Sequence, residues 1–307
     1  MSTESFLTQL LNTIILRPYV FIFLIIYLFG CSLHLGVKRA LLFAVSGYLI
    51  TWLSEYSSIH IGLPYGPYYY IEHTRDMEIW VLGVPFMDSL SYVFLAYASY
   101  SVALLTVSPL WLSKGTIYLL ETRAIRNAFF TRVLGTIFFV YLDIIIDPVA
   151  LKGDRWFLGQ IYGYPEEGAY FGVPISNFIG WLIVGFVLIF TLQKIDYYLG
   201  LNRIRDYAYY RYPWRFLVGP ALYLGILLFN LSVTFYIGEY NLGWVGVFIV
   251  LLPIFLIYTI LKIKLSHMDL QKAIEEHLRD FPEVTMQSTT RDFNPEHVSL
   301  FDNGRFI

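Results

Sequence analysis

Charge is what this chain has least of. Asp, Glu, Lys and Arg make up 14% of its 307 residues, where a soluble domain carries about a quarter. The formal balance of −2 gives no general attraction to nucleic acid or other polyanions. Its 23 acidic residues are too few for the heavily acidic surface of a salt-adapted cytoplasmic protein. Cysteine occurs once, as Cys31 inside an apolar run, so there is no disulfide framework and the redox compartment cannot be read. The six histidines, His34, His60, His73, His267, His277 and His297, form no paired motifs on helices, which argues against a membrane di-iron hydroxylase. His60, His73, Asp76 and Glu78 fall near one loop and read more simply as solvated side chains than as a metal site. No motif specific for haem or a quinone is present. The N-terminal segment has neither a positive n-region nor a small-residue cleavage site, so its first apolar run is expected to be retained.

What fills the chain instead is apolar: 57% of residues are hydrophobic. Runs of about 20 apolar residues, the length that crosses a hydrocarbon core, lie near 14–33, 39–59, 79–108, 127–149, 171–192, 216–237 and 243–263. The pattern predicts an all-α, polytopic membrane bundle of about seven transmembrane helices. It divides into a transmembrane domain over 1–265 and a polar cytoplasmic tail over 266–307, in which Met268–Arg279 has the pattern of a short amphipathic helix. With the N-terminus outside, all but Arg17, Arg75, Lys152 and Arg155 of the 21 Lys and Arg residues fall on the inner side. Such a bias predicts N-terminus out and C-terminus in, in a cell membrane.

That topology brings unusual residues to one depth. Glu55, Asp143 and Asp147 sit near the outer ends of outward-running helices, Asp88 and Asn177 near the outer beginnings of inward-running ones. A carboxylate in a membrane helix costs about 2.5–3.5 kcal/mol on insertion scales, so it faces protein or water and marks a functional site by default. Bland readings exist for some of them. Asp88 follows Val84-Pro85, where a carboxylate simply complements a helix N-terminus; Asn177 follows Val173-Pro174 at the same spacing; Asp147 precedes Pro148 at a helix end. Asp143 has no such excuse among Phe138-Phe139-Val140-Tyr141-Leu142 and Ile144-Ile145-Ile146. Asp143 and Asp147 are one turn apart on one helix face. Two carboxyls so placed in a dry site do not both ionise, leaving a neutral acid.

Gly83-Val84-Pro85-Phe86-Met87-Asp88 and Gly172-Val173-Pro174-Ile175-Ser176-Asn177 share one form. They read as two copies of a helix–loop–helix unit in the same orientation, or as repeated use of a good helix-start signal. The loops before them are rich in Gly, Pro and aromatics: Gly62-Leu63-Pro64-Tyr65-Gly66-Pro67-Tyr68-Tyr69-Tyr70, and Trp156 through Tyr170-Phe171. Aromatics belong at membrane interfaces in any case. The sharper reading is a lid lining a channel for a long apolar ligand, whose π faces would stabilise a developing cation.

The Pro64-Tyr65-Gly66-Pro67-Tyr68-x-Tyr70 segment, Val84-Pro85, Ile146-Asp147-Pro148 with Trp156 beyond it, and Tyr170-Phe171-Gly172-Val173-Pro174-x-x-Asn177-Phe178-x-Gly180-Trp181 together resemble the carotenoid biosynthesis membrane-protein family. That family includes carotenoid 1,2-hydratases acting on bisanhydrobacterioruberin and γ-carotene. The resemblance covers roughly residues 40–260, and its last motif is the most specific. The chain departs from the pattern at the insertion-like Gly163-Tyr164-Pro165-Glu166-Glu167-Gly168 and at Phe157, both in the expected lid. The resemblance implies a cofactor-independent hydro-lyase that takes an acyclic or monocyclic carotenoid from the bilayer and adds water to its terminal C1–C2 double bond, giving a tertiary alcohol. In that scheme Asp143 is the proton donor, Asp147 and Glu55 tune it or bind water, and Asn177 orients the water. Asp88, Tyr68, Tyr70, Trp156, Tyr170 and Trp181 complete the substrate and water site. Two other readings stand beside it. One is a membrane prenyltransferase of the aromatic-acceptor type, in which Asp143 and Asp147 would hold a diphosphate through Mg²⁺, although no second Asp-rich motif appears. The other is an isoprenoid or lipid transporter or binding protein that uses the carboxylates as a relay.

Overall fold

The structure, a computed structural model, describes residues 6–113, 116–157, 159–202, 212–267 and 270–281. Long apolar runs satisfy their own backbone groups only as helices, and all seven runs are helical. Helix α1 (Phe6–Leu16) meets α2 (Pro18–His34) at a 91° bend. Pro18 lacks an N–H and opens α2 at its first position. Then come α3 (Val37–Ile61), α4 (Phe86–Val107), the short α5 (Arg123–Asn127), α6 (Phe129–Ala150), α7 (Ile175–Leu201), α8 (Val218–Tyr236), α9 (Tyr240–His267) and α10 (Leu270–Asp280).

Among the described residues, α4, α6, α7, α9 and the stretch Pro213–Tyr236 around α8 are long and apolar enough to cross a membrane, and the bent α1–α2 pair makes a sixth if it is one span. By length and composition the count is therefore five or six rather than about seven. Helix α3 reaches span length with 25 residues, but Ser46, Thr51, Ser54, Glu55, Ser57, Ser58 and His60 dilute its apolar content. The expected spans over 79–108 and 171–192 also start too early. Their first residues form small hairpins, and the helices begin at Phe86 and Ile175.

Helix α4 is the axis of the bundle, buried along nearly its whole length and packed by α2, α3, α6, α7 and α8. Its sequence explains the position: Ser89, Ala96, Ala98, Ser99, Ser101 and Ala103 keep its surface thin, as close helix packing in lipid requires. Gly219 of α8 matches it, since a Cβ there would lie 2.3 Å from the Ser101 Cβ. Helix α9 lies at the edge, with most of its apolar surface outward.

The two ends of the bundle differ. The end away from the long loops carries a buried ionic network. Arg39 Nε donates to Asp196 at 2.6 Å, and Arg126 Nη2 donates to Glu121 at 2.7 Å. Arg126 Nη1 also lies 3.5 Å from Asp196, and His34 Nε2 lies 3.0 Å from Glu121. Strands β4 (Leu110–Ser113) and β5 (Thr116–Leu119), which follow β1 (Tyr69–Tyr70), β2 (Trp80–Val81) and β3 (Val84–Pro85) in the chain, form a hairpin here. Helix α10 docks Ala273 and Ile274, with Phe281 beyond it, onto Trp111 and Leu120. The amphipathic helix expected near 268–279 is thus α10, while residues 282–307 of the expected tail lie outside the described residues. At the other end, Arg17 at the α1–α2 bend forms a two-point ion pair with Glu78 (2.9 and 3.2 Å). Glu78 is therefore committed to structure, and His60 Nδ1 is bonded to the Tyr56 carbonyl of its own helix (2.7 Å). His73 and Asp76 are exposed.

A candidate active site beneath paired tyrosines

The site lies at the loop ends of two matching units, α3 to α4 and α6 to α7. In each unit the chain makes a tight turn, passes Val-Pro and enters a helix. Strand β1 is Tyr69–Tyr70, and β2 (Trp80–Val81) pairs with β3 (Val84–Pro85) across Leu82-Gly83. In the second unit, bridges Gly168↔Gly172 and Tyr170↔Val173 close around Phe171-Gly172. The φ angles are 49° and 86° at Leu82 and Gly83, and 47° and 91° at Phe171 and Gly172. Two successive positive φ values are what a type I′ hairpin turn requires. Non-glycine residues adopt them at a cost, and Leu82 and Phe171 alone do so among the described non-glycine residues. The same strain at the same place in both units favours a true repeat over a shared start signal. In each, the helix begins directly after the proline, so Asp88 and Asn177 are both third residues of their helices.

The two loops are joined. Strand β1 pairs antiparallel with β6 (Tyr162–Gly163), in the register Tyr69↔Gly163 and Tyr70↔Tyr162. Side chains alternate along a strand, so Tyr68 and Tyr70 share a face with Tyr162 and Tyr164. Their rings meet edge to face at 5.3–6.5 Å. They roof a cavity of about 110 Å³ whose walls include Glu55, Asp88, Asp147, Asn177, Trp156 and Trp181. The first loop also rests on α7, where a Cβ at position 180 would lie 2.6 Å from the Tyr65 Cα. Only glycine fits there.

The cavity has two polar poles. At the first, Glu55 of α3 accepts from the Ser89 hydroxyl, and Asp88 accepts from the Tyr70 hydroxyl at 2.6 Å. Tyr68 in turn donates to Tyr70 at 3.3 Å. At the second, Asp147 of α6 accepts from Tyr162 (2.9 Å), Tyr164 (3.1 Å) and the Asn177 amide (2.7 Å). The same Asn177 nitrogen donates to Asp143 at 3.0 Å. Burial, and then the facing carboxylates, push the phenols of Tyr70, Tyr162 and Tyr164 well above the usual tyrosine range. They stay protonated and act as donors at neutral pH. Between the poles the wall is apolar and aromatic: Tyr19, Val20, Phe23, Phe94, Leu95 and Ile226.

Against this geometry stand the comparisons with known proteins. The family model described as carotenoid biosynthesis protein matches residues 12–253. The chain belongs to that family. A relative named bisanhydrobacterioruberin hydratase, from Haloarcula japonica, is 30% identical over 172 residues, which cover 55% of this chain and 50% of the relative. The chain thus matches about half the length of that relative. No solved structure matches it significantly.

The motifs that carry the sequence resemblance have physical reasons in this fold. The Pro-Tyr-Gly-Pro-Tyr segment is the loop seated on Gly180; the Val-Pro pairs leave the strained turns; Asn177 ties the α6 acids to α7. Eight of the ten site residues expected from sequence line the cavity: Glu55, Asp88, Asp147, Asn177, Tyr68, Tyr70, Trp156 and Trp181. Asp143 does not. It is fully buried one turn deeper, behind Asp147, with Oδ1 unpartnered. Tyr170 does not either; it frames the second strained turn, and its ring packs on Phe171 and Phe178. Sequence reasoning missed Tyr162 and Tyr164, Ser89, Tyr65 and Tyr92. Tyr162 and Tyr164 carried a signal, since their i, i+2 spacing is that of Tyr68 and Tyr70.

Proposed function

We propose that the protein is a carotenoid hydratase, adding water to the terminal C1–C2 double bond of a long apolar isoprenoid without a cofactor. The observation that carries this reading is one small, largely apolar cavity with carboxyl groups at two separate poles, Glu55 with Asp88 and Asp147 with Asn177. The named hydratase among its relatives supports the reaction type. A cavity of about 150 Å³ takes up a benzene ring, so this one takes about one isoprene unit, with the rest of the chain outside.

Protonating C2 leaves a tertiary cation at C1, and water then adds there. The acid must be neutral and its proton must face the alkene. Glu55 is best placed for this. It is buried and its hydrogen-bond partner is a serine hydroxyl, whereas Asp147 is held as a carboxylate by three donors. Asp88 sits in the first turn of α4, where the dipole favours the anion. Asp147, with three donors around it, acts as the carboxylate that holds the water and takes its proton. Asn177 and the roof phenols fix its geometry. Asp143 thus becomes a positioning group that braces Asn177 from behind, rather than the donor itself. The cation forms beneath aromatic faces, which stabilise it. One proton returning from Asp147 to Glu55 resets the site.

The donor set speaks against a prenyltransferase. Asp147 is ringed by three N–H and O–H donors, and Asp143, buried behind it, accepts one more from Asn177, a setting that suits carboxylates bound by neutral donors and crowds a Mg²⁺-bound diphosphate. The test is to feed an acyclic carotene to membranes containing the protein. Wild type should give a pigment heavier by one water. Glu55→Gln and Asp147→Asn should give none, and Asp143→Asn should give less. Full activity in Glu55→Gln would refute the assignment, and Mg²⁺-dependent diphosphate release would replace it with the prenyltransferase.

A further inference from the structure

Resting on the hydratase reading, we infer that Tyr164 is the water gate of the site, sealing the cavity from solvent and passing water onto Asp147. A hydratase buried in hydrocarbon has a supply problem, because its second substrate is insoluble in the phase that delivers its first. The structure contains a second hollow of about 640 Å³ at the loop end, lined by Lys152, Gln160, Glu166, Glu167 and the glycines of the 163–172 loop. It is open and polar, whereas the inner cavity is lined mainly by aromatic and aliphatic side chains. Tyr164 borders both hollows, and no other described residue lining one also lines the other.

The local chain is built to hold this ring and to let it move. Tyr164 follows β6 directly and precedes Pro165. The segment is tied at one end by the pairing Tyr69↔Gly163 and at the other by the bridge Gly168↔Gly172. Between those ties Pro165, Glu166 and Glu167 are exposed, and Tyr164 itself is half-buried. Its hydroxyl donates to Asp147 Oδ2 at 3.1 Å, the longest of the three bonds that carboxylate receives. When Tyr164 swings outward, Tyr162 still holds Oδ1 at 2.9 Å and Asn177 still holds Oδ2 at 2.7 Å. The position the phenol vacates faces a carboxylate that water can occupy with no rearrangement of its other partners. Opening therefore costs one hydrogen bond and the ring's edge-to-face contacts with Tyr68 and Tyr162, and delivers the water to the group that must deprotonate it. The ring lies in the Gly163–Gly168 insertion, which assigns that departure to water supply.

The test needs no catalysis. Cys31, the single native cysteine, is buried and is replaced by Ala; Ser91, on the cavity wall, is replaced by Cys. Modification of this thiol by a small, negatively charged, membrane-impermeant thiosulfonate is timed in full-length protein. Tyr164→Phe keeps the ring but loses the latch, so modification should run about ten- to a hundredfold faster, the range that one hydrogen bond to a charged group is worth. Tyr164→Ala, without the ring, should be faster still, and Gln160→Ala in the outer hollow should match the parent. Rates unchanged in both Tyr164→Phe and Tyr164→Ala would overturn the gate. If wild type fails to hydrate an acyclic carotene, the hydratase reading falls while the thiol rates still judge the gate.

Discussion

Tyr70 and Tyr162 are partners across the β1–β6 pairing, and each gives its hydroxyl to a carboxyl group of a different helical unit, Asp88 at 2.6 Å and Asp147 at 2.9 Å. The pairing makes two loops into one roof and ties both poles of the cavity to it. Tyr70→Phe and Tyr162→Phe should each cost about 1.5–3 kcal/mol, the worth of a hydrogen bond to a charged group. Unfolding of the detergent-solubilised protein measures this; losses near zero in both would mean that the phenols do not hold the acids.

The same phenols set an alkaline limit. Burial, then the carboxylates, raise Tyr70, Tyr162 and Tyr164 in the folded state, while unfolded tyrosine titrates near pH 10. Above that pH the unfolded chain releases protons that the folded one keeps, so stability contributed by these groups is full below about pH 10 and declines as pH rises further. Melting temperature should fall above pH 10, and less steeply in the triple Phe variant. Equal slopes in the two proteins would contradict the assignment.

Gly180→Ala tests how the roof is seated. The added Cβ would meet the Tyr65 backbone, 2.6 Å from its Cα, which cannot yield as a flexible side chain can. Overpacking of this kind costs about 1–3 kcal/mol. It should also lift the 62–70 loop, with a larger loss of turnover than of stability, checked by pairing activity with melting on the same sample.

The ionic network at the far end should behave oppositely. Asp196→Asn removes a buried charge facing Arg39 and Arg126, and breaking a buried pair costs about 3–5 kcal/mol. Because the network lies away from the cavity, activity per folded molecule should stay at the wild-type level while yield and melting temperature fall.

The fold was legible where one periodic signal ruled a whole segment. Every apolar run is helical over most of its length, and the convergence of Glu55, Asp88, Asp147 and Asn177 follows from which way each helix runs. What was not legible depended on contacts between distant segments. The β1–β6 pairing joins two loops, and only that pairing turns Tyr162 and Tyr164 inward. Helical spacing correctly put Asp143 and Asp147 on one face, but one face spans several depths, and only Asp147 reaches the cavity. Arg39 and Arg126 read as positive charges at a membrane surface, yet both are buried against acids that sequence spacing could not match to them. The break at Arg17-Pro18 was hidden because apolar residues continue across it.

The most direct test is the origin of the atoms added to the pigment. An acyclic carotene is incubated with the protein in deuterated water enriched in heavy oxygen, and the product is examined by mass spectrometry. The account predicts a tertiary alcohol carrying heavy oxygen on C1 and one deuterium on C2, absent with Glu55→Gln. Oxygen drawn from dissolved dioxygen, or a product without deuterium on C2, would contradict it.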